Sequence, residues 1–515
     1  VAAPIPAEST VAVIGAGAMG AGIAQIAAQA GHRVQLHDTR FGAGEAAKHG
    51  IADALSRLVG RGKLAQPAAD AAVERIESVV TLPDACVAAL VVEAIVEDLG
   101  AKRELLSRLE NIVAPECILA TNTSSLSVTA LAAGMKRPDR VVGMHFFNPA
   151  PVMALVEVVS GLATSEDAAE KVFATASAWG KMPVRATSTP GFIVNRCARP
   201  FYSEALRLLN EDAADPATLD AVMRDAGGFR MGPFALMDLI GHDVNFAVTK
   251  SIWGAYFHDP RYAPSVRQQE MVAAGWLGRK SGRGFYEYGP TAAAVEPRAE
   301  AAGAAPAKIT VHGDLGIAAP LAERIGGAGV EVERSRVDSR FPAGAVHVAG
   351  SAGGAWLALT DGRTATARVA ASGVRNLVLF DLALDYATTP RLAIARADTC
   401  DADAYASAVA ALAAAGVAVS RLDDVAGLAV MRTVAMLANE AADAAMQGVA
   451  SPAAIDFAMQ QGVNYPRGPL AWADALGAGR IAEVIANLGA HYGEDRYRVS
   501  PLLARRAATG ATLHE

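Results

Sequence analysis

Residues 11–38, VAVIGAGAMGAGIAQIAAQAGHRVQLHD, read as an apolar strand, a glycine turn, a helix and a second strand ending in an acid. Gly15, Gly17 and Gly20 stand in G-x-G-x-x-G spacing. They permit a tight turn and close approach of a pyrophosphate to a helix N-terminus, where unpaired backbone N–H groups and the helix dipole attract the anion. Asp38 closes the second strand, where a carboxylate can accept hydrogen bonds from a ribose diol and repel a 2′-phosphate. Strand, turn, helix and acid together predict an α/β Rossmann-type dinucleotide-binding domain with NAD as cofactor. Neighbouring Arg40 pulls toward NADP instead.

Three later segments place polar groups where a core would exclude them. In residues 90–105, LVVEAIVEDLGAKREL, Glu93 and Glu97 interrupt an apolar strand at its carboxyl end and Lys102 starts the next helix. Residues 118–128, ILATNTSSLSV, form another strand ending in hydroxyls; Thr123, Ser124 and Ser125 can serve a ligand or simply cap the following helix. Open α/β sheets bind ligands at these carboxyl ends. In residues 141–159, VVGMHFFNPAPVMALVEVV, His145 and Glu157 lie in two apolar runs that a single turn can bring together. An ionised carboxylate buried in LVEVV costs several kcal/mol unless paired. Paired with His145 it fixes the tautomer, favours the imidazolium and leaves the other ring nitrogen as a general base. The plainer alternative is a core histidine beside an edge-strand glutamate.

The glycine fingerprint, VVEAIVED, TNTSSL, HFFNPAPVMALVEVV, TPGFIVNR, MGPFALMDLIG and GRKSGRGFYEY follow one another as in the short-chain L-3-hydroxyacyl-CoA dehydrogenase family, which residues 8–290 resemble. The resemblance implies NAD-dependent oxidation of a (3S)-3-hydroxyacyl-CoA to the 3-oxoacyl-CoA. It implies His145 as catalytic base, Glu157 as its orienting partner, and Ser124 and Asn195 as hydrogen-bonding groups around the substrate oxygen and thioester. It further implies NAD contacts from Asp38, Glu97, Lys102, Ser124, Asn148 and Lys280, beside the glycines. The position where family members place a lysine for the CoA phosphates is matched by Arg61, next to Lys63. No metal is needed, because the nicotinamide supplies the redox chemistry.

Composition agrees with this reading. With 515 residues there is room for three or four domains, and the net charge of −7 without long Lys/Arg runs argues against nucleic acid. No apolar stretch reaches the ~18 residues of a membrane span, and VAAPIPAEST lacks the charged and apolar regions of a signal peptide. Cys86, Cys117, Cys197 and Cys400 are scattered, as suits packing roles in a reducing cytoplasm.

From about residue 188 the pattern turns helical, and GFIVNRCARPFYSEALRLLNE carries Asn195 and Arg196 as a polar insertion. The expected organisation is a Rossmann domain over 1–187, an all-α helical domain over 188–290, a linker over 291–307 and a degenerate Rossmann-like segment over 308–420. The last has HGDLG where the glycine fingerprint would stand. Residues 421–515 read as a second, non-catalytic helical copy. In one ungapped register Gly191 matches Gly427, Arg196 matches Arg432, Glu204 matches Glu440, Asp220 matches Asp456, Asp238 matches Asp474 and Gly241 matches Gly477, while Asn195 becomes Met431. The expected assembly is a homodimer, or a monomer in which the two helical copies pair within the chain. This two-copy form resembles the long 3-hydroxyacyl-CoA dehydrogenases of phenylacetate breakdown, which implies 3-hydroxyadipyl-CoA as substrate; Arg199 and Arg230 are candidate cations for its far carboxylate. The alternatives are a 3-hydroxybutyryl-CoA dehydrogenase and a non-catalytic, crystallin-like NAD-binding protein.

Overall fold

The computed structural model describes residues 2–341, 343–350 and 353–515, with only the backbone of Ala85 and Cys86, so the packing expected of the Cys86 thiol lies outside the described side chains. The chain divides into two compact units. The first runs to Arg196 and takes in Gln447–Val463; the second is Cys197–Met446 with Asn464–Glu515.

The first unit is built on eight strands: β1 (Thr10–Ile14), β2 (Arg33–His37), β3 (Ile76–Val79), β4 (Ala88–Glu93), β5 (Ile118–Thr121), β6 (Val141–Phe146), β7 (Leu155–Ser160) and β8 (Met182–Thr187). Their spatial order is β3-β2-β1-β4-β5-β6-β7-β8. All neighbours are parallel except β6 and β7. Strands buried on both faces need near-continuous apolar runs, and Val11, Val13, Leu90, Val92, Val142 and Val158 supply them. The strand order reverses between β1 and β4, the place where sheets of this kind open a crevice for a dinucleotide. Because β6 and β7 are antiparallel, their register sets His145 directly opposite Glu157.

The helix Pro452–Val463 belongs to this unit, although the sequence repeat places it in the second helical copy. The Thr187 N–H donates to the Val449 carbonyl at 2.9 Å. Gly462 lies so close to Leu155 that a Cβ there would stand 2.7 Å from Leu155 Cδ2, so the helix backbone rests on β7.

The second unit contains seven strands: β9 (Lys308–His312), β10 (Glu331–Ser335), β11 (Ala345–Val348), β12 (Ala355–Leu359), β13 (Leu377–Phe380), β14 (Arg391–Arg396) and β15 (Ala418–Arg421). They are ordered β10-β9-β11-β12-β13-β14-β15, with parallel and antiparallel neighbours mixed. The helix Pro216–Asp225, whose repeat equivalent begins at Pro452, packs here: Ala226 O accepts from Leu384 N at 2.8 Å and Asp225 Oδ2 pairs with Arg391 Nε at 3.1 Å. Residues 291–306 form no helix or strand, as their composition implies, yet they are tied down. The Arg298 N–H donates to Thr218 Oγ1 at 2.9 Å and the Glu300 N–H to the Val419 carbonyl at 2.8 Å.

Helices from both halves of the sequence repeat are joined by a reciprocal set of buried ions. Glu204 accepts from Arg432 Nε at 2.7 Å, Tyr497 Oη at 2.9 Å and Arg496 Nε at 3.2 Å. Its repeat partner Glu440 accepts from Tyr262 Oη at 2.6 Å and Arg261 Nη1 at 3.3 Å. Arg261 and Tyr262 correspond to Arg496 and Tyr497. The contacts thus run in both directions between residues that the repeat pairs. Burial alone would raise the Glu204 carboxyl, but the facing arginines and Tyr497 hold it below its ordinary value.

Candidate active site

Gly15, at the end of β1, has φ 106°, a conformation that glycine adopts without strain. A Cβ on Gly15 would meet the Ala94 carbonyl oxygen at 2.5 Å and one on Gly20 would meet the Gly15 oxygen at 1.7 Å, whereas a Cβ on Gly17 would point into open space. Two of the three glycines therefore serve the close packing of turn, strand and helix. The third keeps a cradle clear at the N-terminus of the helix Ala18–Gln29, beside a surface cleft that Gly17, Gly22 and Pro151 help to line. That arrangement fits a dinucleotide's pyrophosphate.

Asp38 follows β2 and its carboxylate accepts the Ala16 N–H at 2.8 Å, tying the strand end to the glycine turn. Arg40 binds the same carboxylate through Nε and Nη2, each at 3.0 Å, and this pairing holds the Asp38 carboxyl well below its usual range. The Arg40 side chain is largely exposed, so it can swing away from the acid.

At the ends of β4 and β5 the polar residues form a connected set. Lys102 is buried and its ammonium donates to Glu93 Oε2 at 2.8 Å and lies 3.5 Å from Glu97 Oε2; Glu93 also receives a short hydrogen bond from Thr121 Oγ1. Glu97 Oε1 gathers the hydroxyl loop, accepting from Thr123 Oγ1 at 2.7 Å, Ser124 N at 2.9 Å, Ser124 Oγ at 3.2 Å and Ser125 Oγ at 3.0 Å. Burial pushes the Glu97 carboxyl up, but Lys102 and these donors more than offset it and hold it low. Asn195 Nδ2 donates to the Ser124 carbonyl at 3.3 Å.

His145 and Glu157 are almost wholly buried, at 5 % and 0 % exposure. Nδ1 of His145 lies 2.6 Å from Glu157 Oε2. A carboxylate facing Nδ1 accepts a hydrogen bond from its N–H, and in that tautomer of the neutral ring Nε2 keeps its lone pair. The other Glu157 oxygen accepts the backbone N–H groups of Ile193 at 3.0 Å and Val194 at 2.9 Å. Glu157 thus fixes both the imidazole and the start of the short helix Val194–Cys197 that carries Asn195. Phe147 and Phe192 pack on the imidazole, with ring centroids 4.5 and 5.8 Å away.

His145, Glu157, Asn195 and Ser124 are therefore linked through one network within the first unit. Arg61 is exposed at the end of the helix Ala43–Gly60, and Asn148 is exposed in the loop after β6. Lys280 lies in the second unit, ion-paired with Asp243 at 2.5 Å. Arg199 is buried and Arg230 exposed, both in the second unit. One positioning residue escaped the sequence reading: Asn122 Oδ1 accepts the Phe146 N–H at 2.8 Å, locking β5 to the residue after His145. Its place in TNTSSL was the only available signal.

The model for the 3-hydroxyacyl-CoA dehydrogenase NAD-binding domain matches residues 10–189, and that for the C-terminal domain of the same enzymes matches 191–288 and again 427–512. A reduced Rossmann-fold domain described from 3-hydroxybutyryl-CoA dehydrogenase matches 357–425. The chain is 44 % identical to a 3-hydroxyadipyl-CoA dehydrogenase of Escherichia coli (strain K12), over 97 % of each chain. It is 42 % identical to human mitochondrial hydroxyacyl-coenzyme A dehydrogenase, over 54 % of this chain and 90 % of the relative. A crystal structure titled 3-hydroxybutyryl-CoA dehydrogenase, from Escherichia coli K12, superposes with a TM-score of 0.87 at 42 % identity, covering 98 % of this chain and 99 % of that one. The chain belongs to the 3-hydroxyacyl-CoA dehydrogenase family and is an NAD-dependent enzyme that oxidises 3-hydroxyacyl-CoA.

Proposed function

We propose that the substrate is (3S)-3-hydroxyadipyl-CoA, oxidised to 3-oxoadipyl-CoA in phenylacetate catabolism in the cytoplasm. The likeness to a 3-hydroxyadipyl-CoA dehydrogenase along 97 % of both chains supports this acyl group. No helix among the described residues is long and apolar enough to cross a membrane. The second reading, 3-hydroxybutyryl-CoA, is favoured by the name of the structure that superposes over 98 % of the chain.

The observation that carries the chemistry is the 2.6 Å contact between His145 Nδ1 and Glu157 Oε2 in a buried setting. His145 Nε2 takes the proton of the C3 hydroxyl as the carbonyl forms, and Glu157 stabilises the imidazolium that results. In the reverse direction the protonated ring returns that proton to the ketone oxygen. Ser124 and Asn195 hydrogen-bond the substrate oxygen and thioester; the Ser124 carbonyl holds the Asn195 amide in place, and Glu97 holds the Ser124 hydroxyl. NAD, when bound, accepts the hydride from C3. Gly17 makes room for its pyrophosphate in the turn that Gly15 and Gly20 shape, Asp38 takes its ribose diol once Arg40 swings aside, Glu97, Ser124, Asn148 and Lys280 complete its contacts, and Lys102, buried against Glu93, acts through Glu97. Arg61 serves the CoA phosphates.

The domain plan is 1–187 for the NAD-binding domain, 188–290 for the catalytic helical domain, 291–307 for the linker, 308–420 for a degenerate Rossmann-like segment and 421–515 for a structural helical copy. Met431 in place of Asn195 supports the last assignment, since a thioether offers no amide hydrogen bonds. The reciprocal Glu204 and Glu440 contacts support a copy that takes the part of a partner subunit.

The test is NADH formation from (3S)-3-hydroxyadipyl-CoA beside (3S)-3-hydroxybutyryl-CoA. A kcat/KM ratio of ~10 or more for the adipyl substrate, about 1.4 kcal/mol of transition-state binding, is expected. Preference for the butyryl substrate would establish the second reading.

A further inference from the structure

Within the second unit lies a cavity of about 360 Å³ bordered by Arg199, Asn245, Thr249, Ser265, Gln268 and Arg496. Its walls are polar and ordered. Arg199 Nη1 donates to Thr249 Oγ1 at 3.1 Å, Thr249 Oγ1 donates to the Asn245 carbonyl at 2.9 Å, and Gln268 Nε2 donates to Asn245 Oδ1 at 3.0 Å. Arg496 spends its Nε on Glu204 at 3.2 Å, while its buried Nη2 has no hydrogen-bond partner among the described residues, and neither has the buried Ser265 Oγ. A buried guanidinium N–H without an acceptor is destabilising.

The sequence repeat supplies an internal control. In the register that pairs Glu204 with Glu440, the positions equivalent to Arg199, Asn245 and Thr249 are Ala435, Ile481 and Ile485. Counted from Tyr262 and its equivalent Tyr497, Gln268 corresponds to Leu503. All four replacements are completely buried and apolar. The same helical framework therefore replaces Arg199, Asn245, Thr249 and Gln268 with hydrocarbon in one copy, so the fold does not require these four polar groups, whereas Ser265 and Arg496 keep the equivalents Ser500 and Arg261. Burial also pushes the Arg199 guanidinium down from its ordinary value, a cost that a bound anion would offset. Glu211, the carboxylate that borders the cavity, already accepts from Arg207 Nε at 3.1 Å and Tyr492 Oη at 2.8 Å.

We propose that this cavity binds a carboxylate, with Arg199 and Arg496 as its cations. Planar guanidinium groups match carboxylate geometry and are the usual choice for buried pairing. The carboxylate can be that of a free dicarboxylic acid or the far end of a dicarboxylyl chain.

Two measurements on the full chain separate these sources. Calorimetric titration with adipate, against uncharged adipamide, reads the free acid; the ratio of kcat/KM for 3-hydroxyadipyl-CoA over 3-hydroxybutyryl-CoA reads the acyl chain. Each is repeated in Arg199→Met and in Thr249→Ile, which copies Ile485 and keeps an apolar core if the first variant folds poorly. Adipate binding that the variants weaken about 10-fold or more, the loss expected for a hydrogen bond to a charged group, assigns a free dicarboxylate. A kcat/KM ratio that falls as much, without adipate binding, assigns the acyl end. No adipate binding by the wild-type protein together with an unchanged ratio in the variants overturns the proposal. The kinetic arm rests on the adipyl reading; a wild-type enzyme that does not prefer the adipyl substrate ends that reading and leaves the titration to decide this one.

Discussion

Asp381 does for the helix Val430–Met446 what Glu157 does for the helix Val194–Cys197. Glu157 accepts the N–H groups of Ile193 and Val194; Asp381 accepts those of Ala429 at 2.9 Å, Val430 at 2.7 Å and Met431 at 2.9 Å, all at or next to the equivalent positions of the repeat. The difference lies in the second oxygen. Glu157 gives it to His145, whereas Asp381 gives it to Met431 and Leu382 N–H groups. In β6 and β7 His145 faces Glu157; beyond β13, Asp381 donates its own N–H to the carbonyl of Ala393 in β14, whose methyl side chain cannot act as a base. The same carboxylate-to-helix anchor exists with and without a proton-transfer partner.

If that partner is what matters for turnover, Glu157→Gln keeps an acceptor for Ile193 and Val194 but loses the charge that favours the imidazolium. We expect kcat to fall about 10²-fold with a much smaller change in KM. Steady-state kinetics on either acyl substrate check this, and an unchanged kcat would reduce Glu157 to a helix anchor.

Asp381→Ala leaves the N–H groups at 429–431 without their buried acceptor. Stability should drop by about 2–4 kcal/mol, given about 1–3 kcal/mol for each unsatisfied group and partial relaxation. Denaturant unfolding followed by circular dichroism measures it, and a loss under about 0.5 kcal/mol, the scale of a surface substitution, would show that the anchor is dispensable.

Glu204→Gln removes the charge between Arg432 and Arg496, and breaking a buried pair costs about 3–5 kcal/mol. The Glu204 carboxyl is held below its ordinary value of 4.5. Its contribution is therefore fully present above pH 4.5 and is lost as the pH falls through the lower folded value. The stability gap between wild type and variant should be complete at neutral pH and close under acid. A gap independent of pH would deny the ionic origin.

Asp38→Ser frees Arg40 and removes the charge that repels a 2′-phosphate. The preference for NAD over NADP in kcat/KM should fall by about 10-fold or more, on the order of one charged hydrogen bond. Parallel assays with the two cofactors decide it.

Local pattern made part of this legible. The three glycines stand out because their spacing between an apolar strand and a helix marks a tight turn with close backbone approach, and Glu157 because an acid in LVEVV demands a partner. Contacts between segments far apart in the chain left no such trace. Asn122 reaches Phe146 on the neighbouring strand, and Glu97 gathers Thr123, Ser124 and Ser125 from the next strand end. Lys102, expected as a cofactor contact, is enclosed by Glu93 and Glu97, a pairing that depends on how the strand end turns into the helix. The repeat register revealed two matching helical halves but not that Pro452–Val463 would group with the first unit, because an amphipathic helix does not announce which sheet it covers.

The most direct test of the proton-transfer account is NADH formation from (3S)-3-hydroxyadipyl-CoA by wild type and His145→Gln, with NAD binding measured separately in both. Turnover by the wild type, a loss of about 10²- to 10⁴-fold in the variant and retained NAD binding are predicted. Undiminished turnover in His145→Gln would contradict the assignment of His145 as the base.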